Sequence, residues 1–439
     1  MKNRPFVPKR DKVLVVGTTS DYIDWIENTC PGRVLFMTDQ EVRINAKEDS
    51  PVPEDELILP LTDLVNTMSK KPAIVLSHVF SELKHHLELW NQSLSGIICF
   101  DCEFLELTAR IASVKGLEYP SVQAIRNCRD KFVSKKIWQE NGVLCPKTLP
   151  VNSAEDAVRF LSESENGIVL KPFYGSGSEL VFRCRTPEEC NHAFNTIKDG
   201  LRKRCSKPLF LKSSSEEHLM MAEQFIPGPE YSCDCIIDED RVRMIRLTRK
   251  IKSSNQPFGT ISGYMLPAIL PANIGHDSLK EAIRKGAKAL GVSRGLCMVD
   301  FILGVHYPFL IEMTPRPGGD CLPFLLKEAG NLDILSLALD FAENKPIDLN
   351  GSTPANLHVG LRIHASKSGV FKGYDTSLLA DENRLKQIHI IRQPGHEILL
   401  PPDDYDSWLI GHMIIEPNSS SYPETQCFTI GKRLQMEIE

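Results

Sequence analysis

Two acidic residues, Asp300 and Glu312, interrupt runs of apolar residues that are typical of buried strands. The tip of the hairpin that joins these strands lies near His306, midway between the two carboxylates. Antiparallel pairing about that tip places them opposite each other, with Cβ atoms about 5 Å apart. Carboxylate oxygens suit Mg²⁺, which usually keeps some waters and bridges to substrate phosphates. The alternative is a carboxylate pair neutralised by neighbouring Lys or Arg side chains.

A second candidate for chemistry is a glycine-rich loop between two short strands, Lys171-Pro-Phe-Tyr-Gly-Ser-Gly-Ser178. Glycines allow close approach of the backbone, so that free N–H groups can face phosphate oxygens, and Lys171 adds a positive charge. The GxxxxGK[ST] pattern of a P-loop is absent from the chain. A tight hairpin with one solvated lysine is the alternative interpretation of this segment.

A third candidate is the turn Glu223-Gln-Phe-Ile-Pro-Gly-Pro-Glu230, which joins two predicted strands. An adenine could lie on its apolar side chains and bond to the strand backbone, while a carboxylate takes the ribose hydroxyls. Taken alone, the segment is also compatible with an ordinary hairpin that carries surface acids.

The elements that must position these residues are predicted from short apolar runs and amphipathic stretches. Runs at 13–16, 34–37, 73–76 and 96–100 alternate with helical patterns and predict βαβ units with a parallel sheet. The stretch from 105 to 142 is predicted to be helical, three strands are predicted between 219 and 247, and residues after about 350 favour a small, separate β-rich unit. A dinucleotide site is not favoured, because the turn after the first strand lacks the GxGxxG glycines.

Composition narrows the class of protein. The chain has 439 residues and a formal net charge of -6, which argues against nonspecific nucleic-acid binding. No stretch reaches the roughly 18 consecutive apolar residues of a membrane span. The 13 cysteines, with no signal-peptide pattern before them, predict reduced thiols and a cytoplasmic location.

The three candidate motifs occur in one order, and that order resembles the ATP-grasp superfamily. It is most similar to the carboxylate–amine ligases with a biotin-carboxylase-like layout. The resemblance covers nearly the whole chain and implies an α/β and α+β fold. Its parts are a βαβ N-terminal (pre-ATP-grasp) domain over 1–115, a two-part ATP-grasp core over 116–348 with a mobile lid at about 150–222, and a small β-rich C-terminal unit over 349–439.

The resemblance implies a role for each matching residue. Lys131 and Lys171 would bind phosphates, with Lys250 as a further contact, and Arg316 would hold the substrate carboxylate or its phosphorylated form. Lys171 and Arg316 are the predicted catalytic residues. The remaining predicted nucleotide contacts comprise the phosphate flap Gly175, Ser176, Gly177 and Ser178, the adenine hinge Glu223, Gln224, Phe225 and Ile226, and the ribose-binding acid Glu230.

The predicted metal ligands are Asp300, Glu312 and Thr314. The family usually has Asn at the third position, and a hydroxyl is a poorer ligand than an amide carbonyl. Three alternatives follow: Thr314 ligates, water replaces it, or one metal is held loosely. If the strand continues past Glu312, Thr314 and Arg316 share its face, because alternate residues of a strand point to the same side.

The function implied by the resemblance is an ADP-forming ligase that activates a carboxylate as an acylphosphate and joins it to an amine. It would use ATP with Mg²⁺, or Mn²⁺ as an alternative metal, and small-molecule acid and amine substrates. A homodimer is implied by analogy only, and neither nucleic acid nor a membrane is expected as a partner. The alternatives are a carboxylase that acts through carboxyphosphate and a nonenzymatic nucleotide-binding module.

Overall fold

The computed structural model describes residues 10–175, 177–204, 220–271, 273–349, 356–418 and 421–439. The front of the chain alternates strands with helices. Its elements are β1 (Arg10–Val16), α1 (Ser20–Thr29), β2 (Val34–Asp39), α2 (Gln40–Ile44), β3 (Glu56–Leu59), α3 (Leu61–Met68), α4 (Pro72–Leu89) and β4 (Gln92–Ile98). The four strands form a parallel sheet in the order β3-β2-β1-β4, which confirms the predicted βαβ front domain.

One predicted strand of this domain is wrong. Residues 73–76 lie in the first turns of α4, and the third strand is instead β3. Pro72 occupies the first turn of α4, where its missing N–H costs nothing. Buried Val75, Val79 and Leu83 then recur every four residues, which is the helical period.

The next part of the chain forms a helical connection and then the predicted lid. Its elements are α5 (Leu105–Lys115), α6 (Val122–Arg129), α7 (Lys131–Glu140), β5 (Thr148–Val151), α8 (Ala154–Ser162), β6 (Ile168–Pro172), β7 (Phe182–Cys184), α9 (Pro187–Lys203) and β8 (Met220–Gln224). The strands pair antiparallel in the order β5-β8-β6-β7. Buried side chains of this sheet and of α8 and α9 form one hydrophobic cluster.

The second half of the predicted grasp consists of long antiparallel strands with helices against them. Its elements are β9 (Glu230–Asp238), β10 (Arg241–Ile251), β11 (Gly263–Leu266), α10 (His276–Leu290), β12 (Arg294–Leu303), β13 (Pro308–Thr314), α11 (Leu322–Gly330) and α12 (Ile334–Ala342). The C-terminal elements are β14 (His358–His364), β15 (Gly369–Asp375), β16 (Leu385–Ile390), β17 (Glu397–Ile398), β18 (Leu409–Ile415), α13 (Pro423–Gly431) and β19 (Gln435–Ile438).

The C-terminal part is β-rich as predicted, but its main strands are not separate from the grasp. Among the described residues, eight strands form one sheet in the order β13-β12-β9-β10-β11-β14-β18-β16. The junction is the antiparallel pair of β11 and β14, where Tyr264 lies opposite Gly360. A smaller sheet, β17-β15-β19, covers the C-terminal core. Domain boundaries near residues 115 and 348 stay predictions.

One hydrophobic core links the front domain to the rest of the molecule. It joins side chains of β1 and α1 to side chains of α11 and α12, and includes Ile414 of the large sheet. The contact is close at Gly96 of β4, because a Cβ there would lie 2.5 Å from the carbonyl oxygen of Ala342. The front domain therefore packs directly on the helices that follow the hairpin of β12 and β13.

Candidate active site

A cavity of about 290 Å³ lies between the lid sheet and the large sheet. Thirteen of the residues predicted from the sequence line it: Lys131, Lys171, Gly175, Gly177, Ser178, Glu223, Gln224, Phe225, Ile226, Glu230, Lys250, Asp300 and Glu312. Ser176 lies outside the described residues. The fold thus brings Lys131 and the three sequence motifs, which together span 182 positions up to Glu312, to one place.

The structure confirms the predicted pairing of the two carboxylates across the hairpin. Asp300 pairs directly with Glu312 across the hairpin of β12 and β13, and the register shifts only after Asp300. That bulge lies on the tip side, so it leaves the pairing of the two carboxylates intact. Both side chains border the same cavity.

The electrostatics of this pair suit a divalent cation. The Oδ1 atom of Asp300 is buried and has no hydrogen-bond partner among the described residues. Burial raises the pKa of Asp300, and the neighbouring carboxylates of Glu230 and Glu312 raise it further, while Lys250 lowers it. Two close acids with an unused oxygen fit a hard cation that completes its shell with waters and phosphates. The described residues include no cluster of three or more His, Cys, Asp or Glu side chains that could hold a metal alone.

The N-terminus of α7 positions Lys131 beside this pair. Asp130 caps the helix by accepting hydrogen bonds from the N–H groups of Phe132 and Val133, at 3.0 and 2.9 Å. The hydroxyl of Tyr174 donates to the same carboxylate at 2.7 Å and so ties the glycine loop to the helix. Lys131 Nζ then lies 3.8 Å from Glu312 Oε1 and donates to the carbonyl oxygen of Gly175 at 2.6 Å.

A buried ion network lies one helical turn further along. Lys135 is 0% exposed and lies on the same face of α7 as Lys131. Its Nζ is 3.3 Å from Glu223 Oε1, and it also donates to the carbonyl oxygen of Ile311. Lys171 Nζ contacts the other oxygen of Glu223 at 2.6 Å. Glu223 therefore neutralises two buried lysines with its side chain, in addition to contributing backbone to the predicted hinge.

The predicted adenine hinge has one backbone donor without a partner among the residues that the structure describes. The N–H of Gln224 donates to Lys147 and that of Phe225 to Gly167, at 2.9 and 3.0 Å. No partner among the described residues is seen for the N–H of Ile226. This group, at the cavity wall, is the donor that a planar ligand would use.

Glu230 lies within a second set of lysines. Lys250 Nζ contacts Glu230 Oε1 at 2.7 Å and Asp300 Oδ2 at 2.6 Å, and Lys252 bonds to the other oxygen of Glu230. Burial acts to raise the pKa of Glu230, but Lys250 and Lys252 outweigh it and hold this pKa at about 2. Lys250 thus connects the predicted ribose-binding acid to the predicted metal ligand.

A pH dependence of stability follows from this lowered pKa. The pKa of Glu230 is about 2 in the folded protein against an ordinary value of 4.5, so its stabilising effect is present above 4.5 and is lost as the pH falls toward 2. Glu230→Gln cannot form these ion pairs, so we expect the variant to lose less of its stability when the pH is lowered. Urea midpoints measured at about pH 5.5 and about pH 3 should differ less in the variant than in the unchanged protein. Equal differences would contradict the ion-pair assignment.

Two predicted residues do not line the cavity. The strand β13 ends at Thr314, which is buried and pairs with Met298. Arg316 would share the face of Glu312 only if β13 continued past Thr314, and it does not. Arg316 Nε instead donates to the Sγ of Cys102 in the front domain at 3.0 Å.

Sequence reasoning missed several residues that build the site. Lys135 was detectable, because it follows Lys131 by four positions on a predicted helix. Lys252 and Phe258 lie in the loop after β10 and reach the cavity only because that loop folds back over it. No local pattern indicated their position.

Sequence comparison with known proteins finds relatives that are ATP-grasp ligases. Residues 164–323 match the model of the ATP-grasp domain. A D-alanine–D-alanine ligase of Ralstonia pickettii is 23% identical over 234 residues, which cover 51% of this chain and 65% of the relative. An alanine–anticapsin ligase of Bacillus subtilis is 27% identical over 248 residues, which cover 54% of this chain and 51% of the relative. The first curated relatives are matched over about half to two thirds of their length.

Solved structures confirm the fold over nearly the whole chain. The L-amino acid ligase of Bacillus licheniformis superposes with a TM-score of 0.73 at 21% identity, over 98% of this chain and all of the other. The biotin carboxylase of Campylobacter jejuni gives 0.65 at 14% identity, over 97% and 92% of the two chains. Residues 164–323 are therefore similar to an ATP-grasp domain, and the chain shares the fold of these two structures. None of the helices in the described ranges is long and apolar enough to cross a membrane.

Proposed function

We propose that this protein is an ATP-dependent, ADP-forming ligase that joins a carboxylic acid to an amine through an acylphosphate. The observation that carries the proposal is the single cavity in which Asp300 and Glu312 face each other beside Lys131, Lys171 and Lys250. In such a cavity the lysines attract the negative charge of a polyphosphate, and the carboxylates attract the metal ion that accompanies it.

Each side chain has a task in this proposal. Lys131 and Lys171 hold the phosphates of ATP in line with the attacking carboxylate, and the glycine loop closes over them. Glu230 binds the ribose, and the N–H of Ile226 bonds to the adenine. Asp300 and Glu312 would hold Mg²⁺, which when bound would neutralise charge on the phosphates. Their carboxylate oxygens fit Mg²⁺ or Mn²⁺. The surrounding lysines suit the phosphates, and Thr314 lies outside the cavity lining.

The reaction needs positioning and charge stabilisation more than an enzyme nucleophile. The substrate carboxylate attacks the γ-phosphorus, ADP leaves, and the amine then displaces phosphate from the acylphosphate. Arg316 is proposed to hold the carboxylate. Its bond to Cys102 places it at the boundary between the front domain and the grasp, so this role requires that the guanidinium also reach the bound acid.

The ligases among the relatives and the structural match to an L-amino acid ligase favour amino acids as the first substrates to test. The twelve described cysteines are free thiols, which supports a cytoplasmic location. The homodimer stays a prediction.

A panel of acids and amines, scored for ADP release and read by mass spectrometry of the products, tests the proposal. We expect ADP and phosphate to form only when an acid and an amine are both present. AMP and pyrophosphate as products would contradict the mechanism. Bicarbonate-dependent ADP release without any amine would favour the carboxylase alternative, and no turnover with any pair would favour a binding module.

A further inference from the structure

A second cavity, of about 480 Å³, lies beside the nucleotide cavity on the outer side of the loop that follows β10. Its walls come from β7, the start of α9 and the segment between them, and from residues 252–260. Lys252, Phe258 and Gly259 border both cavities. The proposed ligase reaction assigns no role to this second space.

The second cavity carries an excess of positive charge. Arg183 and Arg185 line it together with Lys252, and Glu189 is the one acid of its lining. Lys252 forms a salt bridge with Glu230, so its charge is already neutralised. Within the described part of the chain, neither arginine forms a salt bridge.

Glu189 is engaged elsewhere. It caps the N-terminus of α9, where its Oε2 accepts hydrogen bonds from the backbone N–H of Arg185 at 2.5 Å and of Thr186 at 3.3 Å. The capping box, completed by the side chain of Thr186, holds this carboxylate against the backbone. Both arginines thus line the cavity without a salt bridge among the described residues, and Arg183 Nη2 donates to the carbonyl oxygen of Asn166 at 3.3 Å.

The positive charges of the two arginines also act on each other. Arg183 lies in β7, which ends at Cys184, and Arg185 follows it before the start of α9; both line the cavity. Burial lowers the pKa of Arg183, and the neighbouring charge of Arg185 lowers it further. Arg183 lies over the ring of Phe225 with its Cζ 3.4 Å from the ring centre, and its buried Nε has no hydrogen-bond partner among the described residues. Glu189 offsets part of the repulsion between the two arginines. Two cations without a salt bridge among the described residues and an unused donor are still a cost that a bound anion would lower.

We propose that this second cavity binds a phosphate-class oxyanion through Arg183 and Arg185. The planar guanidinium offers paired N–H donors that match the oxygens of a phosphate. Ser253 and Ser254 of the opposite wall add hydroxyl groups that can donate to the same anion. The ligand is orthophosphate or the phosphate group of a small phosphorylated molecule, for which the cavity has room.

The experiment must separate this site from the phosphate-binding lysines of the nucleotide cavity. The full-length protein is first saturated with Mg²⁺ and the nonhydrolysable analogue AMP-PNP, and orthophosphate or glycerol 3-phosphate is then titrated by calorimetry. We expect binding of one anion per chain, and the tighter of the two probes identifies the source of the phosphate. The absence of phosphate-class binding to the saturated protein would overturn the proposal.

Arg185→Glu tests the residues, because Arg185 is exposed and lies outside the lining of the nucleotide cavity. It should weaken anion binding at least about tenfold, since it replaces an attractive charge with a repulsive one. Ser254→Asp, on the opposite wall, should weaken it as well. The matched control is Arg202→Glu, an exposed arginine of α9 outside the lining of the second cavity. Unchanged binding in Arg185→Glu, or an equal loss in Arg202→Glu, would overturn the proposal.

Discussion

Glu312→Gln is expected to lower the rate of ADP release at least about 100-fold, with little effect on folding. The substitution keeps the shape of the side chain but removes one of the two charges that face each other across the hairpin. It also removes the partner of Lys131, whose Nζ lies 3.8 Å from Glu312 Oε1. The remaining carboxylate should bind the metal more weakly, so the concentration of Mg²⁺ needed for half-maximal rate should rise.

Steady-state ADP release over a series of Mg²⁺ concentrations measures both effects. The matched control is Glu140→Gln, which changes an exposed acid at the end of α7 and should leave the rate unchanged. Circular dichroism of both variants tests that the fold is kept. A rate in Glu312→Gln above about a tenth of the original would contradict the assignment of this residue to the metal.

Glu223→Gln is expected to lower the free energy of unfolding by about 3–5 kcal/mol, the usual effect of removing one partner of a buried ion pair. Lys135 is fully buried, and Lys171 is nearly so. Both rely on the carboxylate of Glu223, at 3.3 and 2.6 Å. Burial acts to raise the pKa of Glu223, but these lysines outweigh it and lower this pKa, so the carboxylate is charged at neutral pH.

Urea unfolding at neutral pH measures this loss. Glu155→Gln, an exposed acid of α8 in the same lobe, is the matched control and should change stability little. The double variant Lys135→Met/Glu223→Gln should recover part of the loss, because it removes a buried charge that Glu223→Gln leaves uncompensated. A double variant less stable than the sum of its single changes would contradict the proposed network.

The carboxylate pair is the part of the site that the sequence predicts best. Strand pairing is local, the turn is short, and the positions of Asp300 and Glu312 relative to the turn determine which residues meet. The glycine loop and the turn after β8 could also be located, because each lies where one strand ends and the next begins; their roles stay predictions. Their assembly into one cavity could be predicted only from the resemblance to ATP-grasp proteins.

The wrong strand at 73–76 arose where periodicity was ambiguous, and the predicted face of Arg316 depended on a strand that ends at Thr314. Four apolar residues at 73–76 fit a strand as well as a helix, and only the continuation through Val79 and Leu83 decides for the helix. Arg316 follows a proline beyond the last residue of β13, so the alternation that holds for Glu312 no longer applies to it.

The sequence by itself determined the elements, the hairpin register and the types of residue that could bind a nucleotide and a metal, because these depend on neighbours along the chain. Only the tertiary structure decided which charges neutralise which. The pairs of Lys135 with Glu223 and of Lys250 with Glu230 and Asp300 depend on contacts between distant parts of the chain, and so does the meeting of Arg183 and Arg185 with residues 252–260. It also decided that the C-terminal strands extend the large sheet, since the pairing of β11 with β14 joins segments that lie about 100 residues apart.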